Sequence, residues 1–221
     1  MNILNLPMAG SDEVGTGDSF GPVVVTCAIV EEKDIDIIEN LKIKDSKQLE
    51  DKEILNIGSK LVKSIKHSYV VLDNDTYNKT KEKYNLNEIK AALHNTCYIK
   101  LKEKNNLPKL CVIDDFCGKD KYFEYLSRNN EIKEIYKDVV LETKAENKYI
   151  AVAIASIIAR YYFIKEFDAL CKKYNIELAK GSSNPVIEDQ VKEIINKYGE
   201  EELKNVAKLH FKNINKFINK N

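Results

Sequence analysis

Residues 10–22 read GSDEVGTGDSFGP and run directly into VVVTCAIV at 23–30. The second stretch is apolar, β-branched and continuous, the composition of a strand covered on both faces. The first packs three acids and four glycines into thirteen positions. Asp12 and Glu13 stand side by side at the end of one strand, and glycine builds the turn into the next. Two readings are open here: an acidic surface turn, or a metal site whose backbone lets another molecule come close.

Outward from this stretch the hydrophobic period changes several times. Ile54, Leu55, Ile57, Leu61, Val62 and Ile65 have helical spacing within 51–65. Residues 69–72 make a short strand that ends in DNDTYN, read as a turn. A helix is expected over 86–101, capped by Asn85 or Asn87, then a strand over 109–114 opened by Pro108. A brief strand at 139–141 precedes a long helix from about 147 to about 173, with small residues at Ala151, Ala153, Ala155, Ser156 and Ala159. From Pro185 onward the chain is helical and more polar, broken by Gly199. Mixed strands and helices predict an α/β fold, a sheet flanked by helices. The expected division is a core over 1–175 with a helical C-terminal extension over 176–221 packed on it.

The chain has 221 residues, 43% hydrophobic and 32% charged, which suits a globular protein with one sizeable core. Lys plus Arg and Asp plus Glu each number 35, so the formal net charge is zero. No global field advertises a polyanion, and such a partner would be met by a local patch. Five cysteines (27, 97, 111, 117 and 171) are an odd number without paired metal spacing, which points to reduced thiols and a cytoplasmic location. The N-terminus lacks a signal-peptide pattern. The run YIAVAIASIIAR meets Arg160 well short of the roughly 20 apolar residues a bilayer span needs. No membrane segment and no obligatory protein partner is evident, and a monomer is expected.

The acids fall at strand ends. Asp12 and Glu13 close the first strand, Asp114 closes the 110–113 run with Asp115 after it, and Glu146 follows the 139–141 strand. Strand ends of an α/β sheet are where functional groups collect. Alternation lets only one of Asp114 and Asp115 point into a given site, and sends Asp12 and Glu13 to opposite sides unless the glycine turn twists both round. Carboxylates packed together repel and take up protons more readily. A hard divalent cation relieves this, and oxygen-only ligands suit Mg²⁺ or Mn²⁺. Two such ions can activate a water and stabilise the leaving oxygen in phosphodiester cleavage. The other reading is that these acids cap helices and decorate loops.

Further residues carry paired readings. Ser46 and Lys47 in KDSKQL could hold a phosphate or belong to a solvated loop. His94, between Ala91 and Tyr98 on a helix, reads as a packing histidine ahead of a catalyst. Lys144 could neutralise the acids when no metal is bound, and Asp18 reads as a turn cap before a fifth acid. Lys204, Lys208, Lys212, Lys216 and Lys220 recur every four residues with no acid after Glu202. On a continuous helix they form a basic stripe beside Leu209, Ile214, Phe217 and Ile218, either a track for phosphates or a solvated face.

GSDEVGTGDSFGPVVV resembles the N-terminal signature of the type 2 ribonucleases H, ribonuclease HIII in particular. The likeness continues in order through IKDSKQL (43–49), YNLNEIKAALHN (84–95), VIDDF (112–116), KAENKYIAVAIASIIAR (144–160), LAKGSS (178–183) and AKLHF (207–211). The resemblance implies a ribonuclease H-like mixed sheet and endonucleolytic cleavage of the RNA strand of RNA–DNA hybrids, with two Mg²⁺ or Mn²⁺ ions. It carries over Asp12, Glu13, Asp114 and Glu146 as catalytic and metal-binding acids. Glutamate at the fourth position is similar to the HIII type. So is Gly15-Thr16-Gly17, which lacks the arginine of HII enzymes and whose backbone is expected to meet ribose 2′-hydroxyls. Only nine residues precede Gly10, so the N-terminal substrate-binding domain many HIII proteins carry is expected to be missing. The expectation is a minimal HIII that binds hybrid with its remaining surface. The alternatives are an HII-like enzyme cutting at single ribonucleotides in DNA, or a non-catalytic hybrid-binding protein.

Overall fold

The computed structural model describes residues 5–41, 43 and 49–218. The chain forms two compact units, one of Met1–Glu13, Val25–Val70 and Asn85–Tyr161, the other of Val14–Val24, Val71–Tyr84 and Tyr162–Asn221. The second unit thus takes two early segments as well as the C-terminal one, which begins at Tyr162.

Five strands, β1 (Met8–Val14), β2 (Val23–Val30), β3 (Lys66–Leu72), β4 (Leu110–Asp114) and β5 (Val140–Glu142), make one sheet in the order β3-β2-β1-β4-β5. All eight residues of β2 are buried, as its unbroken apolar sequence predicts. β1 pairs parallel with β4, Gly10 opposite Val112, and β4 pairs parallel with β5, Asp114 opposite Glu142. Residues 15–22 are too short a link for a parallel crossover, so β1 and β2 run antiparallel and the sheet is mixed. The parallel ladder brings the C-terminal ends of β1, β4 and β5 to the same edge.

Within the first unit, α1 (Ile35–Asn40) and α2 (Asp51–Ser64) follow β2, and α4 (Leu86–Lys102) follows in the third segment. Asn85 caps α4: its side chain accepts from Glu88 N at 3.0 Å while Glu88 Oε2 accepts from Asn85 N at 2.7 Å. The Tyr98 hydroxyl donates to Val112 O at 2.8 Å, tying α4 to β4. A further helix, α5 (Lys119–Arg128), had no counterpart in the sequence reading. The start of α6 (Ile150–Tyr174) lies directly on β1, where a Cβ at Gly10 would stand 2.4 Å from Val152 N. Only glycine allows that approach.

In the second unit DNDTYN is not a turn but the start of α3 (Asn74–Lys83), with Asp73 accepting from Thr76 N at 2.9 Å. Residues that favour turns are also the residues that cap helices. Beyond α7 (Ile187–Tyr198) the described residues do not form the one continuous helix that a lysine stripe would need. Gly199 at φ 90° ends α7, and among the described residues a 3₁₀ turn at Glu200–Glu202 and the short α8 (Leu203–Val206) and α9 (Lys212–Asn215) follow. Between them Ala207 is extended and pairs with Phe20. The stripe is therefore broken: Lys204 pairs with Glu201, Lys216 pairs with Glu188, and Lys208 is fully buried. Ser46, Lys47 and Lys220 lie outside the described residues. All five cysteines are free, and no helix among the described residues is long and apolar enough to cross a membrane.

Candidate active site

Strand alternation decides the two neighbouring acids. Gly10 and Asp12 face α6, where the Asp12 carboxyl reaches Ser156. Ser11 and Glu13 face α4, so no twist brings Asp12 and Glu13 round together. Burial first, then the Glu13 charge and a smaller push from Asp114, raise the Asp12 carboxyl to about 7, although Ser156 and the Glu13 N–H oppose the rise. Burial pushes Glu13 up too, but a hydrogen bond from His94 and the charges of His94 and Lys90 outweigh it and hold the group at about 2. Lys90 Nζ lies 2.5 Å from Glu13 Oε1 and 4.1 Å from the Phe116 ring centre. His94 Nε2 lies 3.0 Å from Glu13 Oε2, and its Nδ1 lies 2.7 Å from Ser11 Oγ. That order of contacts has the form of a serine nucleophile triad, but Ser11 is fully buried and no substrate can reach it.

At the end of β4 the two candidate acids take different jobs. Asp115 Oδ1 accepts from Cys117 N and Gly118 N, closing the loop into α5. Asp114 Oδ1 accepts from Ala145 N at 2.8 Å, which docks the 3₁₀ turn Ala145–Asn147 against the strand end. That turn carries Glu146, which is only 6% exposed. Lys144 enters it in the left-handed region at φ 55°. Asp12 and Asp114 are thus within electrostatic reach of each other in the first unit, and Asp114 docks the turn that bears Glu146, while Glu13 lies on the α4 side.

Gly15, Thr16 and Gly17 belong to the second unit. They form a turn closed by a bond from Asp18 N to Gly15 O. Gly15 sits at φ +98°, and a Cβ there would meet Pro22 O at 2.2 Å and Phe163 at 3.0 Å. Gly17 is exposed, with nothing within 4 Å of a Cβ. The fold itself therefore makes no steric demand for glycine at 17, which leaves that backbone open to an outside molecule.

Residues 9–214 match the family model described as Ribonuclease HII. The chain belongs to the ribonuclease HII family. Ribonuclease HIII of Phytoplasma mali is 44% identical over 213 residues, 96% of this chain and 73% of that protein. Ribonuclease HIII of Bacillus velezensis is 41% identical over 217 residues, 97% and 68% respectively. The crystal structure of Bst-RNase HIII in complex with Mn²⁺ matches with a TM-score of 0.89 at 41% identity, covering 96% of this chain and 68% of that one. Aquifex aeolicus RNase H3 matches with a TM-score of 0.73 at 26% identity, covering 93% and 72%.

In this ribonuclease HII family member the donor set fits a hard divalent cation: all its ligating atoms are carboxylate oxygens, and burial first, then the charges of Glu13 and Asp114, make the ionised form of Asp12 costly without a counter-charge. Among the described residues no three His, Cys, Asp or Glu side chains already stand as a metal-binding group. Glu13 is held on the α4 side, with both of its oxygens engaged by Lys90 and His94. The sequence reading did not identify Lys90. The available signal was its position four residues before His94, on the same face of α4.

Proposed function

We propose that this ribonuclease hydrolyses the RNA strand of RNA–DNA hybrids as an endonuclease, with two Mg²⁺ or Mn²⁺ ions held by Asp12, Glu13, Asp114 and Glu146. Bound there, the ions would lower the pKa of an attacking water and stabilise the departing 3′ oxygen. The chain's own part is to present the carboxylates. Asp12 must be ionised to do so, Asp114 keeps one oxygen on Ala145 N and so anchors the turn bearing Glu146, and Lys90 must yield its hold on Glu13 Oε1. With water as nucleophile, the products carry 5′-phosphate and 3′-hydroxyl ends. The backbone of Gly15, Thr16 and Gly17 would meet ribose 2′-hydroxyls, which distinguishes RNA from DNA. Thr16 between the glycines favours the HIII mode, in which a run of ribonucleotides is cut. Five unbonded cysteines fit a reducing, cytoplasmic setting.

The observation that carries this reading is the meeting of Asp12, Asp114 and the Glu146 turn where parallel strands end. Asp12→Asn tests it. The ions contribute several kcal/mol to the transition state, so turnover of a labelled hybrid should fall at least about a hundredfold with binding within about twofold. Equal cleavage by mutant and wild type in Mg²⁺ would remove the assignment. A duplex with one embedded ribonucleotide, assayed alongside, separates the modes: cleavage of the hybrid alone supports HIII, and cleavage of both means an HII-like range.

A further inference from the structure

Lys208 is fully buried, an expensive place for a lysine unless its nitrogen is put to use. Its Nζ donates to two backbone carbonyls, Asp18 O at 3.0 Å and Gly21 O at 2.5 Å. Its backbone N–H donates to Ser19 O at 2.8 Å. Lys208 therefore grips the closing half of the 15–21 turn at three points. Other residues of the same unit complete the hold. Gly21 N donates to Val206 O at 3.1 Å, Ser19 N to Gly181 O at 3.0 Å, and Gly181 N to Asp18 Oδ1 at 2.6 Å. Asn213 accepts from Ser19 Oγ and donates to Ser182 O. The blocks LAKGSS and AKLHF supply most of these partners.

At its other end the turn is fixed by packing, with Gly15 against Pro22 and Phe163. Thr16 and Gly17 are thus the open tip of a turn whose two ends are immobilised. Fixing a recognition backbone before binding removes ordering costs from the encounter.

We propose that Lys208 is a positioning residue for ribose recognition, setting through the carbonyls of Asp18 and Gly21 where the Gly15–Gly17 backbone stands. This rests on the reading of that backbone as the 2′-hydroxyl contact. It also gives Lys208 a role that a surface stripe would not: selectivity between RNA and DNA, in place of uniform attraction to phosphate.

The test is Lys208→Met, which keeps the stem and removes the donor, with four readouts: thermal midpoint, Mn²⁺ affinity, kcat against KM on hybrid, and the ratio of Kd values for an RNA–DNA hybrid and a DNA duplex of the same sequence. We expect a KM about tenfold higher, kcat within twofold, unchanged Mn²⁺ affinity, and a hybrid preference reduced about tenfold. An unchanged KM and preference in a folded variant overturns the proposal. Equal weakening on hybrid and DNA duplex also overturns it, because that is how a phosphate contact behaves. If Lys208→Met does not fold, Asn213→Ala decides: it loosens Ser19 with Lys208 in place and should shift KM and preference the same way by about threefold, and no shift overturns the proposal. A wild-type protein with no hybrid preference would fault the 2′-hydroxyl reading itself, a result distinct from any variant effect.

Discussion

Glu13 shows what a single side chain's surroundings can decide. Its two oxygens meet a lysine and a histidine, so in the metal-free protein the carboxylate is already compensated from α4. His94 does pack, as its apolar neighbours indicate: it is fully buried and stacks on Phe116 with ring centres 5.5 Å apart. What its neighbours could not reveal is that Glu13, 81 positions away, ends on its Nε2. Lys90 is then a cation competing with any ion that would use Glu13. At an effective dielectric of about 20, unit charges some 4 Å apart interact by about 4 kcal/mol, so relieving even a third of that is a tenfold effect. Lys90→Met should keep the stem packed over Phe116 and raise Mn²⁺ affinity about tenfold, read from free Mn²⁺ by electron paramagnetic resonance. Unchanged or weaker affinity would show that Lys90 does not oppose the ion.

At the scale of elements, the turn between β1 and β2 carries a pH signature of its own. Burial drives Lys208 down from 10.5 to about 7, the nearby Asp18 charge opposing only part of the shift. The charged and titratable groups around it are Asp18 on the turn, Tyr77 on α3, whose ring centre is 5.7 Å away, and the adjoining His210. Between about pH 7 and 10.5 the unfolded chain holds a proton that the folded one lacks, so stability rises with pH across that window. Below it the lysine is charged in both states and the burial penalty is complete; above it the penalty is gone. The neutral amine still has N–H groups for both carbonyls. Urea unfolding at about pH 6.5, 8 and 9.5 should show wild type gaining on Lys208→Met as pH rises, and a constant difference would mean the lysine does not shed its proton on folding. Legibility in the sequence follows the same physics. β2 and α4 were readable because an unbroken apolar run and an Asn-x-x-Glu cap are local signals. α3 was missed because its cap residues are also turn residues. The lysine spacing did not translate into one helix face because a four-residue repeat has meaning only on an unbroken helix, and Ala207 leaves helical geometry to pair with Phe20.

At the scale of the whole molecule, zero net charge makes one experiment unusually clean. A strongly acidic protein gains stability from any added cation because its charges repel overall, but this chain has 35 of each sign. Its carboxylate repulsion is local, gathered at Asp12 beside Glu13 and Asp114. Stabilisation by a divalent ion should therefore be a binding effect, not a screening effect. An ion that binds only the folded chain adds about 2.7 kcal/mol at a hundredfold excess over its Kd. For a chain of this size each kcal/mol moves the thermal midpoint by about 2–4 °C, so saturating Mn²⁺ should raise it by about 5–10 °C. Sodium chloride at matched ionic strength should reproduce little of this rise. Asp12→Asn, which removes the most strained of the acids while keeping its shape, should lose most of it. If sodium chloride matched Mn²⁺, or if Asp12→Asn kept the full shift, the ion would not be held by these acids, and the carboxylates at the strand ends would revert to caps and loop decoration.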